Sequence, residues 1–470
     1  MKPNTISDDP HSAAVLTLGF ATTVAVWTVG YFCRLFGPAV PAPLLFALML
    51  ACLLAGGVLA GRYTDDGVRR GLYVGLLAGL INLLIVGSLI GGETPTEIKR
   101  GAIFWVPGTL AVSALVTSIG AALGARRRAH HVQPDWSGLF ALCAVAATVV
   151  LLAAGGLVTG FGEGLAVVDW PNTEGYNMFL YPLARMTGGV YLEHAHRLLG
   201  SLAGLTVLVL AVHTHRTEPR RWVRSLGWLA LLLVITQGIL GGLRVTGRFT
   251  LSTHPDDTDP KVVLAIVHGV LGQIVFVTLV ALAAARTRAW RASGPPADAP
   301  AAGTDRVLTS VLIALLVIQL VLGALVRHFT WALALPMVSY GLDLTPAQLK
   351  TYGTSALHLH IMLAVFVVLA ALAVGVRSWG SQQTPAVLRR LGSKLLILAG
   401  LQTALGVAAL IVTSGDAKDQ GPGAIHVAIT TAHQLTGAAL LALASLLLVW
   451  NCRLLRTPAK SATTAHSAPG

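Results

Sequence analysis

Along this chain the apolar residues neither alternate nor recur at every third or fourth position. They run on in unbroken blocks, separated by short polar stretches. A helix needs about 20 such residues to cross the hydrocarbon layer of a bilayer. Twelve blocks reach that length, near residues 13–33, 41–61, 71–91, 102–124, 138–158, 194–213, 224–243, 262–284, 307–327, 356–375, 393–413 and 425–450. The intervening sequence shows neither the short alternating segments of a membrane barrel nor the length of a soluble domain. The pattern predicts an all-α polytopic membrane protein with about 12 transmembrane helices.

Composition agrees: 54% of residues are hydrophobic, 11% are charged, and the mean hydropathy is +0.72. The net charge of +13 would suit nucleic acid only if the basic residues formed one patch. They are instead dispersed through short loops, so no nucleic-acid partner is expected and the lipid bilayer is the surrounding medium. The densest basic loops hold Arg62, Arg69 and Arg70; Arg126, Arg127 and Arg128; Arg216, Arg220, Arg221 and Arg224; and Arg286, Arg288, Arg291 and Arg306. By the positive-inside rule these loops are cytoplasmic, and an even number of spans then puts both termini in the cytoplasm. The first twelve residues carry Asp8, Asp9 and one lysine and no Arg-rich presequence, which points to a bacterial inner membrane. Cys33, Cys52, Cys143 and Cys452 are scattered through spans or their inner ends, so no disulfide is expected.

Three blocks and a tail emerge. Residues 1–131 form a four-span module almost free of polar residues, ending in the basic cluster GARRRAHH (124–131). Residues 132–302 and 303–455 each hold four more spans, and residues 456–470 are a tail. The Pro/Ala/Gly-rich stretch 291–303 between the last two blocks reads as a flexible linker. Those two blocks repeat each other. Gln237-Gly-Ile-Leu-Gly241 resembles Gln402-Thr-Ala-Leu-Gly406, and His268 with Gly272 resembles His433 with Gly437, both 165 residues apart. His194-Ala-His196 and His358-Leu-His360 follow at 164, and Gly155-Gly-Leu-Val158 and Gly323-Ala-Leu-Val326 at 168. Register kept over four consecutive helices predicts two tandem homologous four-helix bundles, preceded by four extra spans.

Each bundle thereby receives one histidine near the start of its second and fourth helices: His196 and His268 in the first, His360 and His433 in the second. Two imidazoles at one level on different helices are what a bis-histidine haem site requires, with small residues making room for the porphyrin plane. A lone histidine in a membrane helix more often serves only as hydrogen-bonding glue, but two register-matched pairs argue for ligands. Bare zinc or copper is the weaker alternative, since no thiolate or second carboxylate stands at that level. Arg197, Arg327 and His328 are candidate partners for haem propionates, against an ordinary interfacial role. His194, His358 and His426 are left undecided. Glu193 has no counterpart, because Leu357 occupies its place in the repeat. It either faces the porphyrin edge, three residues before His196, or merely complements a helix N-terminus.

From about residue 135 to 453 these motifs together resemble the haem A synthases of cytochrome oxidase assembly. EHAHRLLG (193–200) matches the Glu-x-x-His-Arg motif, QGILGGLRV (237–245) the third core helix, and HGVLG (268–272), HLHIMLA (358–364) and AHQLTGAAL (432–440) the other histidine helices. The resemblance implies an oxidoreductase with an eight-helix core and two haems. Haem b would be the cofactor, held by His360 and His433. Haem O would be the substrate, held by His196 and His268, its C8 methyl group oxidised to a formyl group by successive hydroxylations with Glu193 as the functional carboxylate. It further implies two partners, a haem O-producing farnesyltransferase and a membrane electron donor, and leaves the oligomeric state open. The aromatic loop 160–192 would cover the substrate haem. Two departures stand out: this chain has no cysteine pair in an outer loop, and the four leading spans lie outside the family core. A dihaem b-type membrane cytochrome and a transporter are the rival readings.

Overall fold

The computed structural model describes residues 10–35, 40–129, 133–250, 252, 254, 257–334, 345–380, 384–415 and 423–458. His130, His131 and the tail from residue 459 lie outside the described residues. Twelve long helices are apolar enough to cross a membrane: α1 (Pro10–Leu35), α2 (Ala42–Tyr63), α3 (Gly67–Ile90), α4 (Ala102–Ala125), α5 (Trp136–Gly160), α6 (Gly188–Thr217), α7 (Arg221–Thr246), α8 (Val262–Arg286), α10 (Ala302–Ala334), α11 (Pro346–Gly380), α12 (Ala386–Gly415) and α13 (Ala424–Leu454). A one-turn helix, α9 (Arg288–Ala292), follows α8. The chain is a multi-pass membrane protein.

Helix ends follow local chemistry rather than hydropathy. Helix α11 starts ten residues before the apolar block at 356 because Thr345 and Gln348 form a reciprocal capping box. Pro346 then takes the first helical position, where no backbone N–H is needed. Helix α7 stops at Gly247, whose φ of 70° and bond to the Leu243 carbonyl close a left-handed cap.

The leading module is held by glycines four residues apart. Gly57 and Gly61 on α2, and Gly71 and Gly75 on α3, press against the α4 backbone, and Gly120 and Gly124 on α4 press back against α2. In lipid there is no hydrophobic drive between helices, so backbone approach of this kind supplies the packing. The module does not stand apart. Helix α1 packs on α5 and α6, Thr17 Oγ1 donates to the Trp136 carbonyl at 2.9 Å, and Phe20 meets Phe140 at 5.4 Å. One continuous apolar core runs from α1 into the first bundle.

Helices α5–α8 and α10–α13 form the two bundles, each closed by its first helix packing on its last. They meet where α5 lies on α13 and α8 lies on α10 and α13, and the first two of these contacts exchange under the repeat. The connection between the bundles corrects one expectation. The linker is pinned, because Ala297–Asp298 (β1) pairs in parallel with Leu455–Arg456 (β2), and Arg453 donates to the Gly294 carbonyl. Arg456 also pairs with Asp298 at 2.6 Å. Near the same end of the bundles, Glu218 binds Arg220 at 2.6 Å and the buried Arg286 at 3.2 Å. Burial raises the Glu218 carboxyl, but hydrogen bonds from Arg220 and the charges of both arginines outweigh it and hold the group below the ordinary glutamate range.

Candidate functional site: two histidine pairs and an asymmetric loop

Four times, the bundles build the same local structure. His196 on α6 lies against Gly155 on α5, His268 on α8 against Gly241 on α7, His360 on α11 against Gly323 on α10, and His433 on α13 against Gly406 on α12. A Cβ on each glycine would sit 3.0 Å from the ring Cε1, or 3.1 Å at Gly323, so the ring occupies the room a side chain would take. One turn before each glycine, a backbone carbonyl accepts a hydrogen bond from the ring: Leu151, Gln237, Gln319 and Gln402 respectively. In two of the four, the side chain of that residue also braces the histidine. Gln237 Nε2 donates to the His268 carbonyl at 2.6 Å and Gln319 Nε2 to the His360 carbonyl at 2.9 Å, while Gln402 Oε1 accepts from the Thr436 hydroxyl.

The remaining nitrogen, Nδ1, is buried without a hydrogen-bond partner in all four histidines. An orphaned polar atom in a membrane core is costly unless something binds it. Metal-bound histidines show this division of labour, one ring nitrogen fixed by a carbonyl and the other free for the metal. The His360 and His433 rings face each other with centroids 6.4 Å apart. That distance leaves room for two metal–nitrogen bonds of about 2 Å plus the ring radii. Among the described residues no three His, Cys, Asp or Glu side chains converge. The histidines stand as pairs, and the donor set, glycine cradles and orphaned nitrogens fit a haem in each bundle.

Glu193 is only 4% exposed. Since α6 begins at Gly188, it lies in the second turn rather than at the helix N-terminus. One carboxylate oxygen pairs with Arg197 at 2.7 Å, and the other accepts the Val167 N–H at 3.0 Å. Arg197 spends its remaining donors on the loop, reaching the carbonyls of Val167 (3.1 Å), Asp169 (2.7 Å) and Asn172 (2.8 Å). The sequence offered Arg197 to a propionate; the structure commits its fork to Glu193 and to loop carbonyls. His194 is fully buried on the same loop, with Nδ1 3.0 Å from Thr173 Oγ1 and its ring 5.0 Å from that of Tyr181. Its position differs from that of His358, which is exposed, so the repeat does not give the two a common role.

Arg327, half-buried, and His328, buried, lie where the bundles meet. Arg327 donates to the Gly156 carbonyl at 2.7 Å and to Gln434 Oε1 at 3.1 Å. A small void is lined by Thr159, Gly164, Arg244, Arg327 and His328. Arg244, which lines this void, was not among the candidates drawn from the sequence. Its signal was the repeat: Ala409 holds the matching position in the second bundle. Arg197 is matched by Ile361, as Glu193 is by Leu357. All three charges therefore belong to the first bundle alone.

Two tandem four-helix bundles, each carrying two glycine-cradled histidines, define an all-helical polytopic membrane protein. The chain belongs to the cytochrome oxidase assembly protein family COX15-CtaA, which it matches over residues 139–445. It is also similar to the Heme A synthase of Lysinibacillus sphaericus (strain C3-41), at 34% identity over 130 residues, 27% of this chain and 40% of that protein. The aligned part is thus less than half of that relative's length. Helices α1–α4 lie outside the family match.

Proposed function

We propose that the protein is a haem A synthase of the bacterial inner membrane, with both termini cytoplasmic, that oxidises the C8 methyl group of haem O to a formyl group. The single observation that carries this reading is the asymmetry. Four equivalent histidine cradles give each bundle a haem site, but only the first surrounds its pair with Glu193, Arg197 and Arg244. The first bundle, with His196 and His268, then receives the substrate. The second, with His360 and His433, keeps haem b. A symmetric dihaem electron carrier would share the cradles but has no use for charges on one side only.

When bound, haem supplies redox chemistry at its iron. The chain's own residues ligate, orient and enclose it. Each histidine offers one nitrogen while its carbonyl bond fixes ring orientation. Arg244 and Arg327 offer cationic donors, and His328 a ring N–H, to propionate carboxylates at the junction of the bundles. Glu193, paired with Arg197 and fixed by the Val167 N–H, places a carboxylate where positive charge would develop as the methyl carbon is oxidised. The loop between the helices, 161–187 rather than 160–192, excludes water above it. A haem O-producing farnesyltransferase upstream and a membrane electron donor complete the reaction.

The test is to produce the full chain in cells that supply haem O and extract its haems. Haem A or hydroxylated haem O beside haem b is expected. An intact b-type spectrum with neither product overturns the proposal.

A further inference from the structure

The loop between α5 and α6 lies between two surfaces. Its inner side carries the contacts with Glu193, Arg197 and His194, and the Trp170 ring lies flat on Gly242 of α7. Its outer side is held by the leading module. The Phe179 and Leu180 carbonyls sit directly on Gly87, in the last turn of α3, and on Gly91, which follows it. The Glu93 carbonyl accepts both the Tyr176 hydroxyl and Arg185 Nη2, the latter at 3.2 Å. Just beyond the loop, in the first turn of α6, the Tyr191 hydroxyl donates to the Tyr31 carbonyl of α1 at 2.7 Å, the two rings stack at 5.9 Å, and Arg34 lies over Tyr191 at 5.5 Å.

One turn transmits the hold. Thr173 and Tyr176 exchange backbone hydrogen bonds at 3.0 Å, so the residue tied to Glu93 and the residue touching His194 form one unit. The Asp169 carboxylate closes the same turn by accepting the Glu174 and Gly175 N–H groups at 2.8 and 2.9 Å, while its carbonyl accepts from Arg197. We propose that the four leading helices are a positioning part of the substrate side: they fix loop 163–187 from outside, and through it set Glu193 and Arg197 over the first bundle. The product arm of the test below rests on the synthase reading; the cleavage arm does not.

Gly91 has φ −61° and ψ 135°, and Gly87 is helical, so alanine suits either backbone. The new methyl, however, would overlap a loop carbonyl at both positions. Gly108 on α4 has nothing within 4 Å of an added Cβ and serves as the control. In the purified full chain, the Gly87→Ala/Gly91→Ala variant is expected to be cut by trypsin after the exposed Arg185 at least tenfold faster than the parent, with Gly108→Ala unchanged. Haem A formed per haem b retained should fall roughly 10- to 100-fold, the cost of misplacing a site by about 1 Å. If the double variant does not accumulate, Tyr176→Phe/Tyr191→Phe removes two tethers without adding bulk and should accelerate the same cleavage. Cleavage after Arg185 at the parental rate in both variants overturns the clamp. Accelerated cleavage in a chain whose parent makes no haem A supports the clamp and refutes the synthase reading.

Discussion

The glycines beneath the histidines should control haem binding bundle by bundle. In Gly406→Ala, the added methyl carbon would lie 3.0 Å from His433 Cε1 and 3.6 Å from Nδ1. Unstrained carbon contacts fall at about 3.5–4.0 Å, a shortfall of roughly 0.5–1 Å. His433 cannot give way freely, because its ring is tied to the Gln402 carbonyl behind and faces His360 at 6.4 Å in front. Overpacking of this kind costs about 1–3 kcal/mol, which lowers haem b affinity about 5- to 150-fold. The substitution also replaces glycine by a better helix former, worth about 1 kcal/mol, so overall stability should hardly fall while binding does. Gly400→Ala on the same helix is the control, since nothing lies within 4 Å of its added Cβ. The assay is haem b per purified chain by pyridine haemochrome, with titration of the haem-depleted protein. A Gly406→Ala chain that binds haem b as tightly as Gly400→Ala refutes the cradle.

Three further outcomes follow from the same geometry. Glu193→Ala leaves the half-buried Arg197 without its counter-charge, held only by loop carbonyls, whereas Glu193→Gln keeps an acceptor for the Val167 N–H. Both should lose product and keep haem b, with the larger fall in thermal stability for alanine; equal loss of both haems would remove the asymmetric role. Arg244→Ala should release substrate haem to an excess of haem-accepting protein at least tenfold faster, as expected for a hydrogen bond to a charged group worth about 1.5–3 kcal/mol, with haem b unaffected. Glu218 has a depressed folded-state pKa, so its stabilisation is present above the ordinary glutamate range and is lost as pH falls through the folded value. Melting temperature should therefore decline as pH falls below the ordinary glutamate range, and Glu218→Gln should flatten that limb.

The spans were legible because a bilayer demands length and apolarity, and both are written in composition. Their ends were not. Helix α6 runs over Gly188–Thr217 rather than 194–213, since hydrogen bonding and caps carry a helix past the lipid boundary that hydropathy detects. The repeat exposed Gln237, Gly241, Gln402 and Gly406 as matching positions, but only packing shows what they do: Gln237 braces the next histidine helix, Gln402 holds Thr436, and the glycines cradle. Arg197 was readable as a cation near a ligand; its partners are loop carbonyls, which no side-chain pattern announces. Arg244 required tertiary structure, because its neighbour Arg327 is 83 residues away in the chain. The leading module showed no chemistry in its sequence, and its contacts with the loop run largely through backbone carbonyls.

The central claim, that two nearly identical bundles divide the work, is tested most directly by comparing the haem content of His268→Ala and His433→Ala chains produced with haem O supply. His268→Ala should retain a b-type spectrum and yield no haem A, while His433→Ala should lose the resident haem b. Loss of the same haem in equal amount from both chains would contradict it.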